Sequence, residues 1–88
     1  MKIEKYGASW CGPCKALDKT LDEFCKRHPD IDVIRFDVDE LDEDTLYNLK
    51  IKTVPVLRFI QDDGTEIKRF IGAQPLMIIE NELSQENA

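Results

Sequence analysis

The sequence predicts an α/β chain in which short strands alternate with helices and a β-hairpin precedes the last helix. Three observations carry this prediction. Cys14, Leu17, Leu21, Phe24 and Cys25 recur at one-turn spacings, which marks one face of a helix. A short, partly alternating run, Lys2 to Tyr6, lies before it, and an alternating run, Asp32 to Val38, lies after it. Asp62-Asp63-Gly64 then separates two further such runs, a hairpin signal.

Each element has its own punctuation. The first strand, Lys2 to Tyr6, ends at the small-residue turn Gly7-Ala8-Ser9. The first helix is expected from Gly12 to about Arg27. Pro13 suits its first turn because the missing N–H has no helical partner there. His28-Pro29-Asp30 stops it, since the residue before proline avoids helical backbone. In the second strand, Asp32 to Val38, Ile34, Phe36 and Val38 alternate against Val33, Arg35 and Asp37. A helical crossover between two strands favours parallel pairing. Asp42 is the expected N-cap of a short helix ending near Leu49, with Leu46 and Leu49 facing the core. Val54 to Gln61 and Thr65 to Ile71 form the hairpin. A third helix is expected from about Gln74 to Leu83, with Pro75 in its first turn and Leu76, Ile79 and Leu83 on one face. The order is β-α-β-α-β-β-α, and the patterning alone leaves the order of strands in the sheet open.

Eighty-eight residues suit one domain, residues 1–88, with one modest core. A hydrophobic share of 42% with 34% charged residues fits a globular chain rather than a disordered one. No apolar run approaches the roughly 20 residues of a membrane span, and no signal peptide is visible. A net charge of −6 argues against nucleic acid as a partner, because phosphate binding needs clustered cations. The expectation is a cytoplasmic monomer with neither nucleic acid nor membrane as a partner.

The chemistry is concentrated in Trp10-Cys11-Gly12-Pro13-Cys14. Two cysteines two residues apart, between a strand and a helix, read as a redox pair. Cys11 falls at the helix N-terminus, where unpaired N–H groups and the dipole stabilise a thiolate. The thiolate is the attacking species in disulfide exchange. Cys14, one turn on, can then attack the mixed disulfide and release the product. Cys11 is therefore expected as the exposed, activated nucleophile and Cys14 as the more buried resolving thiol.

At these residues the chain resembles the thioredoxin family. Trp10-Cys11-Gly12-Pro13-Cys14-Lys15 matches the family signature, Val54-Pro55 the later proline and Gly72-Ala73 the turn after the last strand. The three occur in family order over nearly the whole chain. The resemblance implies a minimal, glutaredoxin-sized thioredoxin fold, a four-stranded mixed sheet in the order 2-1-3-4 with three helices. It implies a cis bond before Pro55, packed beside the disulfide. It also implies a thiol–disulfide oxidoreductase acting on disulfides in other proteins, without a prosthetic group or metal. An NADPH-dependent thioredoxin reductase would supply electrons. Trp10, Gly12, Pro13, Val54, Pro55, Gly72 and Ala73 would line a flat, mostly apolar docking surface, where the Val54 backbone pairs with an extended substrate segment. Two alternatives are a glutathione-dependent, glutaredoxin-like reductase and a non-catalytic docking module. The Gly-Pro between the cysteines and the lack of an obvious basic glutathione site speak against the first, and the intact pair against the second.

Competing readings fall on distance and spacing. Cys11, Cys14, Cys25 and His28 resemble a four-ligand zinc pattern. On one helix, however, Cys14 and Cys25 stand about 16 Å apart, too far for one ion or one disulfide. Cys25 reads as a small core residue, with a regulatory thiol as the alternative. The acidic run Asp37 to Asp44 lacks the glycine and ligand spacing of a calcium loop. His28 suits a helix C-terminus.

Lys5 is the departure from the family pattern. Counted back from Cys11, it stands where the family keeps a buried aspartate that helps deprotonate the resolving cysteine. A lysine cannot be that carboxylate base. Charged beneath the pair, it would favour thiolate and make the protein more oxidising. Neutral through desolvation, it could accept the Cys14 proton. Alternatively it snorkels to solvent, and Glu4 takes the role if the register slips. The expectation is that Lys5 lies near Cys14 and raises the reduction potential.

Overall fold

The structure, a computed structural model, describes residues 1–86. Its elements are β1 (Lys2–Gly7), α1 (Gly12–Arg27), β2 (Asp32–Asp37), α2 (Glu43–Asn48), β3 (Val56–Ile60), β4 (Glu66–Ile71) and α3 (Leu76–Glu86), with a 3₁₀ turn Val38–Glu40 after β2. The strands form one mixed sheet in the order β2-β1-β3-β4, as the family resemblance implies. β1 pairs in parallel with β2, and β3 is antiparallel to both β1 and β4. The parallel pair is the one joined by a helical crossover, since a short turn cannot reverse a strand without making it antiparallel.

One face of the sheet carries the main core. Ile3 from β1 and Leu57 and Phe59 from β3 meet Leu17, Leu21 and Phe24 of α1 and Ile79 and Leu83 of α3. Val33, Ile67 and Phe70 extend this face outward. β3 lies between two neighbours and is apolar on both sides: Val56, Leu57, Phe59 and Ile60 are all buried. Apolar residues on both faces, interrupted only by the half-buried Arg58, mark a strand covered on both sides.

The opposite face is more polar. Tyr6 stacks on Phe36 with ring centroids 4.9 Å apart. The Tyr6 hydroxyl donates to Glu4 Oε1 at 2.7 Å, and Arg58 Nη1 donates to the same carboxylate at 2.9 Å. α2 is anchored here by Arg69 of β4, whose guanidinium donates to the carbonyl oxygens of Leu49 and Lys50 at 2.7 and 3.0 Å. These are carbonyls that the end of a short helix leaves unpaired.

Several boundaries differ from the sequence reading. β2 stops at Asp37, whose carboxylate accepts from the Asp39 N–H and caps the 3₁₀ turn, so Val38 leaves the strand. The inward residue of β2 toward the main core is Val33. Ile34 and Phe36 lie on the opposite face, beside Glu4 and Tyr6, and Val38 has left the strand, so the alternating set does not face the main core. β3 begins at Val56 because Pro55 has no N–H to give a ladder. Leu46 and Leu49 are only half-buried, and α2 contributes no fully buried residue. α3 starts at Leu76, with the Pro75 carbonyl accepting from Ile78 and Ile79, and continues past Leu83.

Candidate active site

The site lies where β1 hands the chain to α1. The Cys11 N–H donates to the Ala8 carbonyl at 3.2 Å, which closes the intervening turn. Cys11 keeps an extended backbone and is the N-cap of α1, with proline in the first turn. Its sulfur accepts the Cys14 backbone N–H at 3.2 Å. A capping residue ordinarily uses an oxygen for this bond. Here a sulfur takes the place, and an N–H aimed at it favours negative charge on that atom.

Cys11 and Cys14 are joined as a disulfide, with Cα atoms 5.2 Å apart. Cys14 is 1% exposed and Cys11 6%. The order follows the sequence expectation, but an exposed Cys11 does not. In the bonded form its sulfur turns toward Cys14, with the Val54 carbonyl oxygen 3.9 Å away, and Ala8, Val38 and Val54 pack around the pair.

The residues expected at the docking surface do converge on this end of the sheet. The Val54–Pro55 peptide is cis. The Gly72 N–H donates to the Pro55 carbonyl at 2.9 Å, which ties the turn after β4 to the segment before β3. Gly72 has φ +98°, a left-handed backbone that a side chain would strain. Gly12, Pro13 and Ala73 are exposed, and Val54 and Gly72 half-buried. Pro55 is fully buried, so it backs the surface and does not line it. Trp10 is 68% exposed, and its indole N–H donates to Asp39 Oδ2 at 2.9 Å.

Lys5 does not snorkel. Its side chain is 6% exposed and Nζ lies 3.0 Å from Asp18 Oδ1. A methyl group placed on Gly7 would sit 2.6 Å from Lys5 Nζ and 3.3 Å from Cys14 Cβ. The ammonium and Cys14 are therefore no further apart than those two distances laid end to end. A side chain at Gly7 would displace the end of Lys5 from its place beneath the disulfide. Glu4 points to the opposite face, bound by Tyr6 and Arg58, so it cannot stand in for the missing aspartate. Burial, and then the Glu4 carboxylate, push the Tyr6 phenol up to about 12. Cys25 and His28 lie at the far end of α1. His28 Nε2 is 2.8 Å from Glu80 Oε2, and its ring packs on Phe24. Among the described residues, no group of three or more His, Cys, Asp or Glu side chains is gathered to hold a metal ion.

The family model described as Thioredoxin matches residues 2–85. The chain belongs to the thioredoxin family. It is 34% identical over 76 residues to Thioredoxin-1 of Saccharomyces cerevisiae, covering 86% of this chain and 72% of that one. It is 36% identical over 80 residues to the thioredoxin of Mycobacterium tuberculosis, covering 90% and 67%. Among solved structures, Fasciola hepatica thioredoxin superposes with a TM-score of 0.82 at 26% identity, over 96% of this chain and 78% of that one. Oxidised mitochondrial thioredoxin 3 of Saccharomyces cerevisiae gives 0.78 at 29% identity, over 91% and 74%. With its cysteine pair at disulfide distance, this thioredoxin-family chain is a thiol–disulfide oxidoreductase, an enzyme that exchanges its dithiol with disulfides in partner proteins.

Sequence reasoning missed Ala8 and Val38, which pack on the pair, Asp18, which binds Lys5, and Asp39, which binds Trp10. Asp18 alone carried a signal. It is four residues beyond Cys14, hence on the same face of α1.

Proposed function

We propose that Cys11 is the nucleophile and Cys14 the resolving thiol of a single-domain protein-disulfide reductase. The observation that supports this most is the Cys14 N–H aimed at the Cys11 sulfur at the start of α1, with Cys14 the more deeply buried of the two. The Cys11 thiolate attacks one sulfur of a substrate disulfide. A Cys11–substrate bond forms and the other substrate sulfur leaves as a thiolate. Cys14 loses its proton and attacks Cys11 Sγ. The Cys11–Cys14 bond forms, and the second substrate sulfur leaves and takes up a proton. Two electrons have passed to the substrate, and no bound cofactor takes part.

Trp10, Gly12, Pro13, Val54, Gly72 and Ala73 receive the substrate around the pair, with Pro55 holding the Val54 segment from behind. An extended substrate segment pairs with the Val54 backbone. The Lys5 ammonium beneath Cys14 favours thiolate in the reduced pair and raises the reduction potential. A thioredoxin reductase returns the electrons, and the protein works as a monomer in the cytoplasm, as a carrier in electron transport.

The test is turnover of a protein disulfide by the wild type, Cys11→Ser and Cys14→Ser. Cys11→Ser should abolish reduction. Cys14→Ser should trap the substrate as a mixed disulfide on Cys11. Alkylation of the reduced protein near neutral pH should label Cys11 before Cys14 and Cys25. Trapping on Cys14, or first labelling there, reverses the assignment. Turnover supported by glutathione and not by a thioredoxin reductase would replace the electron donor.

A further inference from the structure

Behind the disulfide lies a small network of charges that the exchange reaction itself does not require. Asp18 follows Cys14 by one turn on the same face of α1. Its Oδ1 lies 3.0 Å from Lys5 Nζ and 3.3 Å from Arg35 Nη1, so strand and helix charges meet at one carboxylate. Arg35 is held in turn by Asp22 at 2.8 Å. Lys5 is almost wholly buried, whereas Asp18 is 38% exposed. A cleft lined by Lys5, Ser9, Asp18, Arg35 and Asp37 connects them to solvent, with Lys15 at its margin. The charged groups facing Lys5 are thus Lys15 and Asp18 from α1 and Arg35 and Asp37 from β2.

We propose that Asp18 is a positioning residue that sets how strongly the Lys5 cation favours the Cys14 thiolate. This inference rests on the role given to Lys5 above. In the oxidised pair the ammonium has one close anion among the described residues, the Asp18 carboxylate. Reduction and loss of the Cys14 proton create a second anion near the same nitrogen. The two compete for one charge, and a cation already neutralised by a near neighbour attracts a further anion less. Asp18 therefore tempers the oxidising bias that Lys5 imposes, and it keeps the ammonium fixed under the pair. The Cys14 proton passes to water as the sulfur attacks Cys11 Sγ. The bonds made and broken are those of the resolving step, and no further reactant enters.

The experiment is the redox equilibrium of the full chain with glutathione at pH 7, for wild type, Asp18→Asn, Lys5→Met and Lys5→Arg. The asparagine keeps an oxygen for Lys5 and removes only the charge. Asp18→Asn should shift the equilibrium about tenfold toward the dithiol, about 30 mV more oxidising for a two-electron couple. Lys5→Met should shift it about as far the other way, and Lys5→Arg should stay near the wild type. Thermal unfolding of each variant is followed alongside. A merely structural ion pair would lower the stability of Asp18→Asn and Lys5→Met alike, but it would not drive their potentials apart. An Asp18→Asn shift absent, or of the same sign as Lys5→Met, overturns the role of Asp18 while leaving that of Lys5 standing. An unchanged Lys5→Met potential, or a Lys5→Arg potential that follows it, overturns the role of Lys5.

Discussion

At the scale of single residues, the two faces of β1 carry opposite solutions to burying charge. Lys5 goes under the disulfide with Asp18, and Glu4 goes under the polar face with Tyr6 and Arg58. A buried ion needs a partner to offset its lost hydration. The Tyr6 phenol titrates late for the same reason. It is held near 12 by burial and then by the Glu4 carboxylate that accepts its hydrogen bond. In the unfolded chain a tyrosine ionises near about 10. A folded value above the unfolded one means that the stabilisation is complete below about pH 10 and fades as pH rises through 12. Wild type should therefore lose stability over that interval, and Tyr6→Phe should show a flatter decline in an alkaline unfolding series. An equal slope in both proteins would detach the phenol from the network. The cysteines were legible because their motif is contiguous. Asp18 was not, because its role depends on which side of α1 meets β1. The burial of Pro55 was equally hidden, since exposure is a property of what folds around a residue and not of the residue.

At the scale of elements, α2 is the weakest unit. It has six residues and none is fully buried. Isolated helices of that length do not hold themselves together in water. Asp42 caps its start through the Thr45 N–H at 2.7 Å, and Arg69 gathers the Leu49 and Lys50 carbonyls at its end. The Arg69 guanidinium is itself gripped by Glu66, which also binds Arg58. Arg69→Met should accelerate amide exchange in 43–50 severalfold while leaving β1 and α1 protected. Exchange that rises uniformly would mean that the clasp belongs to global stability. The Asp42 cap was readable from the sequence because it is local. The clasp was not, because it joins residues about 20 positions apart across two elements. The same contrast explains β2. Its start followed from the alternating pattern, but its end was decided by Asp37 folding back on Asp39.

At the scale of the whole molecule, part of the acidic charge is held by structured partners. The Thr45 hydroxyl and N–H hold Asp42 below the usual carboxylate range, and the Thr65 N–H does the same for Asp63. Burial would push Glu66 up, but Arg69 and Arg58 overcome it and hold it down. Carboxyls depressed in the folded state contribute stability that is present above their unfolded values, about 3.9 for Asp and 4.3 for Glu, and is lost as pH falls through the folded ones. The unfolding midpoint should thus drop steeply below about pH 4, and Glu66→Gln should flatten that drop. A variant as acid-sensitive as the wild type would place the lost stability elsewhere. Strand count and connectivity were readable from periodicity and turns. The order of strands was not, since local patterning says little about which strand lies beside which, and only the family signature supplied it. That order leaves β2 bordered on one side alone. A strand with a free row of N–H and C=O groups is a template on which another chain can grow. Here Val33, Ile34 and Phe36 would supply the adhesive, and Asp32, Arg35 and Asp37 interrupt it. These three charges lie outside the disulfide pair, yet they guard the molecule against fibrous self-assembly. Neutralising them would leave an apolar edge open to pairing with a second chain.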